Sequence, residues 1–264
     1  MAGAIARGLS GTFCLEICGR DVRKAKAFIE QHQLQNAKAI PLESSMPNKP
    51  LLIDVEGKIV LLCIKPYGLS SFCYKGRAKS LYSVLAGVSI ATLASFIDSK
   101  ALIRLMPNIG AQCALSATAA FGVDMDMLEA RTICEAFGSV VFVGSEALID
   151  SSIATSGSAS AFLALIAQAL IDAGVREGLL RKDSATLVQK TFEGVGALLQ
   201  NTSPQEIIDT ITTPGGTTAE GLSVLESRAV RGALIQACHK SVKKAKAMQK
   251  HATSSKNLAI SKKA

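Results

Sequence analysis

Hydrophobic positions along the chain change period near its middle. In roughly the first 110 residues, short apolar runs alternate with amphipathic stretches. Thr12–Cys18 and Gly57–Ile64 are mostly apolar runs bounded by Gly, Lys and Pro, as expected of strands covered on both faces. Between them, Asp21–Gln33 sets Val22, Ala25, Phe28 and Ile29 on one helical face, with Asp21 as N-cap. Leu81–Ala86 reads as a further strand, Ser89–Ile97 as a helix and Ala101–Leu105 as the next strand. Such alternation predicts a doubly wound parallel sheet. Met1-Ala2-Gly3-Ala4 already reads as a helix start, with no N-cap and no strand before it.

From Glu146 onward the periodicity is helical throughout. Ser158–Leu179 is long and apolar, Lys182–Leu199 amphipathic, Pro204–Ile211 short, and one last helix is expected over Ala219–Met248. The fold class is therefore an α/β Rossmann-like sheet over residues 1–144 followed by an all-α domain over 145–250, with a basic flexible tail over 251–264. The longest uncharged apolar stretch, Ala159–Ile171, contains Gln168 and stops at Asp172. It is too short to span a bilayer and suits a helix buried in protein.

Composition narrows the function classes. A net charge of +8 suggests nucleic acid until it is located. Lys243, Lys244, Lys246, Lys250, Lys256, Lys262 and Lys263 lie in a C-terminal stretch without an acidic residue, and the remaining body is nearly balanced. With no Trp and 3 Tyr, stacking on single-stranded nucleic acid has little to work with. The 7 cysteines include no C-x-x-C pair and sit largely in apolar runs, as reduced thiols of a cytoplasmic protein do. His32, His239 and His251 are too scattered for a metal site. No secretory signal is recognisable at the start of the sequence.

The chemistry-bearing motifs fall at predicted strand ends. Gly19-Arg20-Asp21 follows the first strand, where an acidic residue meets the ribose of NAD or a basic one the 2′-phosphate of NADP. Arg20 favours NADP, and Asp21 leaves the choice open. Cys63-Ile64-Lys65-Pro66, Ala86-Gly87-Val88-Ser89 and Met106-Pro107-Asn108 close three further strands. Ser89 would open a helix whose unbonded N–H groups suit an anion. Each motif alone is also ordinary strand punctuation, and three on one sheet edge carry more weight. Further on, Thr212-Thr213-Pro214-Gly215-Gly216-Thr217-Thr218-Ala219-Glu220 combines two glycines with hydroxyls and a capping-box spacing from Thr217 to Glu220. It reads equally as a carboxylate cradle and as a plain turn and cap.

Taken together these motifs resemble the pyrroline-5-carboxylate reductase family. The resemblance extends from Met1 to Lys246 and is most specific in Asp172-Ala173-Gly174-Val175, Gly178-Leu179, Arg181 and the Thr212–Leu222 loop. It implies reduction of 1-pyrroline-5-carboxylate to L-proline with NADPH or NADH, and a homodimer or higher homo-oligomer formed through the helical domain, which completes each active site from two chains. It implies that Gly19, Arg20, Cys63, Ile64, Lys65, Pro66, Ala86, Gly87, Val88 and Asn108 line the dinucleotide. Thr213, Gly216, Thr217 and Thr218 would hold the substrate, with Thr218 nearest the imine nitrogen as the catalytic contact. No metal, membrane or nucleic acid is expected.

The residues agree with that chemistry. A cyclic imine is basic enough to be protonated near neutral pH, so the protein mainly orients the reactants. No Lys occurs between Glu146 and Leu180, which favours imine over carbonyl reduction. Two features depart from the family. Ala159-Ser160 stands where Gly-Pro usually follows Ser156-Gly157-Ser158, and the opening strand with its glycine fingerprint does not precede Met1. The expectation is that the start lies upstream or that the chain is a truncation binding cofactor poorly. An inactive paralogue acting by interaction, and a reductase of a related cyclic imine, remain the alternatives.

Overall fold

The computed structural model describes residues 1–42 and 50–261, with side chains described through residue 247. It divides into two compact units, Met1–Gly157 with Ser241–Ala264, and Ser158–Lys240. In the first unit the order is α1 (Ala2–Ser10), β1 (Leu15–Ile17), α2 (Val22–Gln31), β2 (Ala37–Ala39), β3 (Leu51–Asp54), β4 (Ile59–Leu62) and β5 (Phe72–Lys75). There follow β6 (Ala78–Ser83), α3 (Ile90–Ala94), β7 (Ser99–Met106), β8 (Ser116–Val123), α4 (Met127–Glu135), β9 (Gly138–Phe142) and α5 (Glu146–Ser151).

The strands form a five-stranded sheet in the order β4-β6-β7-β8-β9 and two pairs, β1-β2 and β3-β5. Every pairing is parallel except β7 with β8. The sheet is therefore not wholly parallel as the alternation predicted. A three-to-ten turn at Ile109–Cys113 links β7 to β8 too briefly for a helical crossover, and only an antiparallel return fits.

Side chains alternate across the central strands and build two cores. Tyr82 and Ile103 pack with Ile5 and Leu9 of α1 and Ile133 of α4. Leu81, one residue earlier, packs with Leu62, Leu85, Val88, Leu93 and Ile97, and Leu102 joins that side. The observed strands are shorter or shifted relative to the predicted ones. Thr12–Cys18 yields only β1, because the Thr12 and Phe13 N–H groups still donate to Leu9 carbonyl at the end of α1. Asp21 caps α2 as read, accepting from the Arg23 N–H.

One charge interrupts the core. Arg104 in β7 is 1% exposed, and its Nη1 and Nη2 donate to Glu146 Oε1 and Asp150 Oδ1, each at 3.1 Å. Both carboxylates belong to α5, which this ion pairing ties to the sheet. The compact unit consequently ends at Gly157, past the change of period near Gly144.

The second unit holds α6 (Ala159–Arg176), α7 (Arg181–Leu198), α8 (Pro204–Ile211), α9 (Thr217–Ser227) and the first part of α10 (Val230–Ser261). Gly178, at φ +99°, stops α6 in a conformation that suits glycine. Ser184 Oγ then donates to the Ile171 carbonyl at 2.9 Å, a close approach that Gly174 permits by lacking a Cβ. Arg181 pairs with Asp172 at 2.9 Å across the same turn. The single last helix expected over Ala219–Met248 is instead two. Ala229 lies at φ +53° with its N–H on the Glu226 carbonyl, ending α9 without the glycine or proline that would have signalled it. The flexible tail expected over 251–264 falls on residues whose side chains lie outside the described set, the backbone being helical through Ser261.

The packing of α1 can be tested at its glycines. A Cβ on Gly8 would collide with the Ala136 carbonyl, whereas one on Gly11 meets nothing. Gly8→Ala is expected to lose about 1–3 kcal/mol in urea unfolding, with Gly11→Ala within about 0.5 kcal/mol of the parent. Equal midpoints for the two variants would contradict the contact of α1 with Ala136.

Candidate active site

A cavity of about 1390 Å³ is lined by Leu15, Glu16 and Ile17 of β1 and by Ile59–Leu62 of β4. These two strands belong to different sheets, β1 bonding β2 and β4 bonding β6. The residues that follow them, Gly19, Arg20, Cys63, Ile64 and Lys65, also line it. Five of the predicted dinucleotide residues are thus brought to one space. Pro66 opens the adjoining three-to-ten turn, Pro66–Ser71.

The other predicted residues lie elsewhere on the same sheet. Ala86, Gly87, Val88 and Asn108 follow β6 and β7, one and two strands inward from β4, and do not line the cavity. Val88 is 4% exposed with its side chain in the core, so only its main chain is available to a ligand. Gly87 turns at φ +72°. The α3 start is less open than the sequence suggested. Thr92 N–H donates to Ser89 Oγ at 3.1 Å, and Ile90 N–H to Glu146 Oε1 at 2.8 Å. Asn108 likewise spends its Oδ1 on the N–H groups of Gly110 (3.0 Å) and Ala117 (3.2 Å), clamping the turn between β7 and β8.

Charge around the cavity is uneven. Glu16 accepts Lys58 at 2.6 Å and Lys38 at 3.0 Å, and these two cations, Lys58 first, hold its carboxyl below the usual range. Asp21 pairs with Arg23 at 3.0 Å, which lowers its pKa in the same way. Arg20, Lys24 and Lys65 also border the cavity and make no ion pair among the described residues. With Asp54 also on the lining, the cations keep a modest excess, which suits an anionic ligand. Cys63 is no nucleophile here, since burial pushes its thiol up to about 12.

In the helical unit the Thr212–Glu220 segment makes a tight turn. Gly216 N–H donates to the Thr213 carbonyl at 2.9 Å, and Gly215 sits at φ +69°. The capping box expected at Thr217 does not form. Gly216 is the N-cap of α9, with no side-chain cap, and Thr217 and Thr218 occupy the first turn. The first helical bond runs from Glu220 N–H to the Gly216 carbonyl, leaving the N–H groups of Thr217, Thr218 and Ala219 without helical partners. A side-chain cap would have closed this end; its absence leaves room for a carboxylate.

Sequence reading passed over Lys24 and Tyr67, which line the cavity, and the Arg104–Glu146–Asp150 cluster. The signal for the cluster was an arginine set between Ile103 and Leu105 in an apolar strand, where a charge demands partners. Among the described residues no group of three His, Cys, Asp or Glu could hold a metal ion.

A mostly parallel sheet with the ends of β1 and β4 at a cavity bordered by cations, and a chain that continues into helices with largely uncovered apolar faces, is the arrangement of a dinucleotide-dependent oxidoreductase. Residues 146–248 match the family model described as pyrroline-5-carboxylate reductase dimerisation. The chain is 46% identical over 251 residues to the pyrroline-5-carboxylate reductase of Helicobacter pylori, covering 92% of the chain and 95% of that relative. The solved structure of 1-pyrroline-5-carboxylate reductase from Streptococcus pyogenes is 30% identical, with a TM-score of 0.77 over 94% of this chain and 95% of that one. That of the Plasmodium falciparum enzyme with NADP bound shares the fold, at 22% identity and a TM-score of 0.71, over 94% of this chain and 96% of that one. The chain belongs to the pyrroline-5-carboxylate reductase family.

Thiol labelling tests the burial at the cavity. With Cys63 and Cys134 both pushed up to about 12 by burial, their thiolate fraction near pH 8 is on the order of one in ten thousand. Iodoacetamide is therefore expected to modify the exposed Cys14, Cys73 and Cys113 in the folded protein and to spare Cys63 and Cys134 until guanidinium unfolds it. Mass spectrometry showing Cys63 labelled as fast as Cys73 would contradict the packing described.

Proposed function

We propose that the chain reduces 1-pyrroline-5-carboxylate to L-proline with NADPH or NADH, as a soluble, cytoplasmic homo-oligomer. The observation that carries this reading is the 46% identity to a reductase of that name along 92% of the chain, which takes in both units. Assembly through the helical unit is supported by α6, none of whose residues is buried within the chain although Leu163, Leu165 and Leu170 are all large and apolar.

When bound, the dinucleotide supplies a hydride to the imine carbon, whose nitrogen takes up the electron pair of the C=N bond. The remaining work is orientation. Gly19, Arg20 and the Cys63–Pro66 segment hold the dinucleotide in the sheet unit, aided by the main chain of Ala86, Gly87 and Val88 and by Asn108. Thr213, Gly216 and Thr217 receive the substrate carboxylate at the uncapped start of α9, and the Thr218 hydroxyl contacts the imine nitrogen. Since that nitrogen carries its own proton near neutral pH, a strong protein acid is unnecessary. Asp21 is engaged by Arg23, which leaves Arg20 to select the 2′-phosphate of NADPH.

The deciding assay is pyrroline-5-carboxylate-dependent oxidation of NADPH by the purified chain; an interaction-only protein gives no turnover. Arg20→Ala should raise KM for NADPH about tenfold or more and leave KM for NADH within about twofold. Equal effects on both cofactors would remove Arg20 from the 2′-phosphate site.

Thr218→Ala should cost about 1–3 kcal/mol, or roughly five- to hundred-fold in kcat/KM, while folding and assembly survive. Parent-like turnover would make the loop purely structural.

A further inference from the structure

We infer that Glu146 is a positioning residue for the dinucleotide, one of its carboxylate oxygens fastening the Ala86–Ser89 turn to the buried arginine of β7. This rests on the proposed reading that Ala86, Gly87 and Val88 border the cofactor. Gly87 is at φ +72°, and α3 behind it is only 5 residues long, so few helical bonds support its first turn. The turn is anchored by the Leu85, Val88 and Leu93 side chains in the core, the Ser89 cap, the bond from Leu93 N–H to the Ser89 carbonyl at 2.9 Å and the hydrogen bond from Ile90 N–H to Glu146 Oε1 at 2.8 Å, which alone among these ties the α3 main chain to a charged group.

The same oxygen accepts from Arg104 Nη1 at 3.1 Å. Arg104 cannot swing away, being 1% exposed and held through Nη2 by Asp150, whose side chain is 4% exposed. The arrangement separates two duties. Asp150 neutralises the buried cation, and Glu146, with a side chain 30% exposed, extends that fixed point to the α3 main chain. Removing Glu146 therefore leaves Arg104 paired and the fold intact, while Ile90 N–H loses its acceptor and the turn its fastening. Glu146 touches neither substrate nor cofactor in this account and acts only through the turn.

The test compares Glu146→Ala, Glu146→Gln and the parent for NADPH dissociation constant, KM, kcat and thermal midpoint. Glu146→Ala is expected to weaken NADPH binding and raise its KM about tenfold, the weight of one charge-assisted hydrogen bond, with kcat within about twofold. Glu146→Gln keeps an oxygen for Ile90 N–H and should restore binding to within about threefold of the parent. A lower thermal midpoint in Glu146→Ala with parental NADPH affinity would make the residue merely structural and overturn the inference. So would a glutamine variant as impaired as alanine. Should the parent bind NADPH yet not turn over pyrroline-5-carboxylate, the proposed function fails, and the dissociation constants still decide the role of Glu146.

Discussion

Leu81 and Tyr82 are neighbours in β6, both 0% exposed, and they point into different cores. A strand buried on both faces has no room for ligand chemistry along its length, and polar function is driven to its end. The rest of the sheet unit follows from this. Helices must cover both faces, which is why α1 and α4 pack on one side and the α3 segment on the other. The parallel strands β4, β6 and β7 then deliver the Cys63, Ala86 and Asn108 segments to one edge.

Several polar groups inside the sheet unit are satisfied by fixed partners, whereas the buried Tyr74 hydroxyl has none among the described residues. Ser80 and Tyr82 hydroxyls both donate to Glu129 Oε1, at 2.5 and 2.9 Å, and Arg104 has its two carboxylates. An unpaired charge at either place would cost several kcal/mol. Such clusters act as rivets between strand and helix. They make the orientation of α4 and α5 against the sheet specific in a way that apolar contact alone does not.

The elements with strong periodicity or a cap were legible in the sequence. The Asp21 cap, the α8 bounds and the α/β-then-α order needed no tertiary information. What escaped reading lacked a local signal. β8, Ser-Ala-Thr-Ala-Ala-Phe-Gly-Val, is built mainly from small residues, which make no strong apolar run although the strand lies between β7 and β9. β2 is 3 residues long and visible only through its pairing with β1. At the site, the motif positions were found but their division of labour was not. The sequence could not show that Val88 faces the core or that Glu146 already occupies the start of α3, since the latter depends on a residue 56 positions along the chain, whereas the Asn108 clamp is local and was passed over.

The two units also differ in what their stability depends on. The sheet unit closes its cores within one chain, whereas α6 and α9 contain no buried residue. A bundle that completes its interior only against another copy has no melting temperature of its own: its stability follows mass action and rises with protein concentration. Dilution would therefore loosen the helical half while the sheet half stays folded, and the concentration of the enzyme itself becomes a variable of its activity.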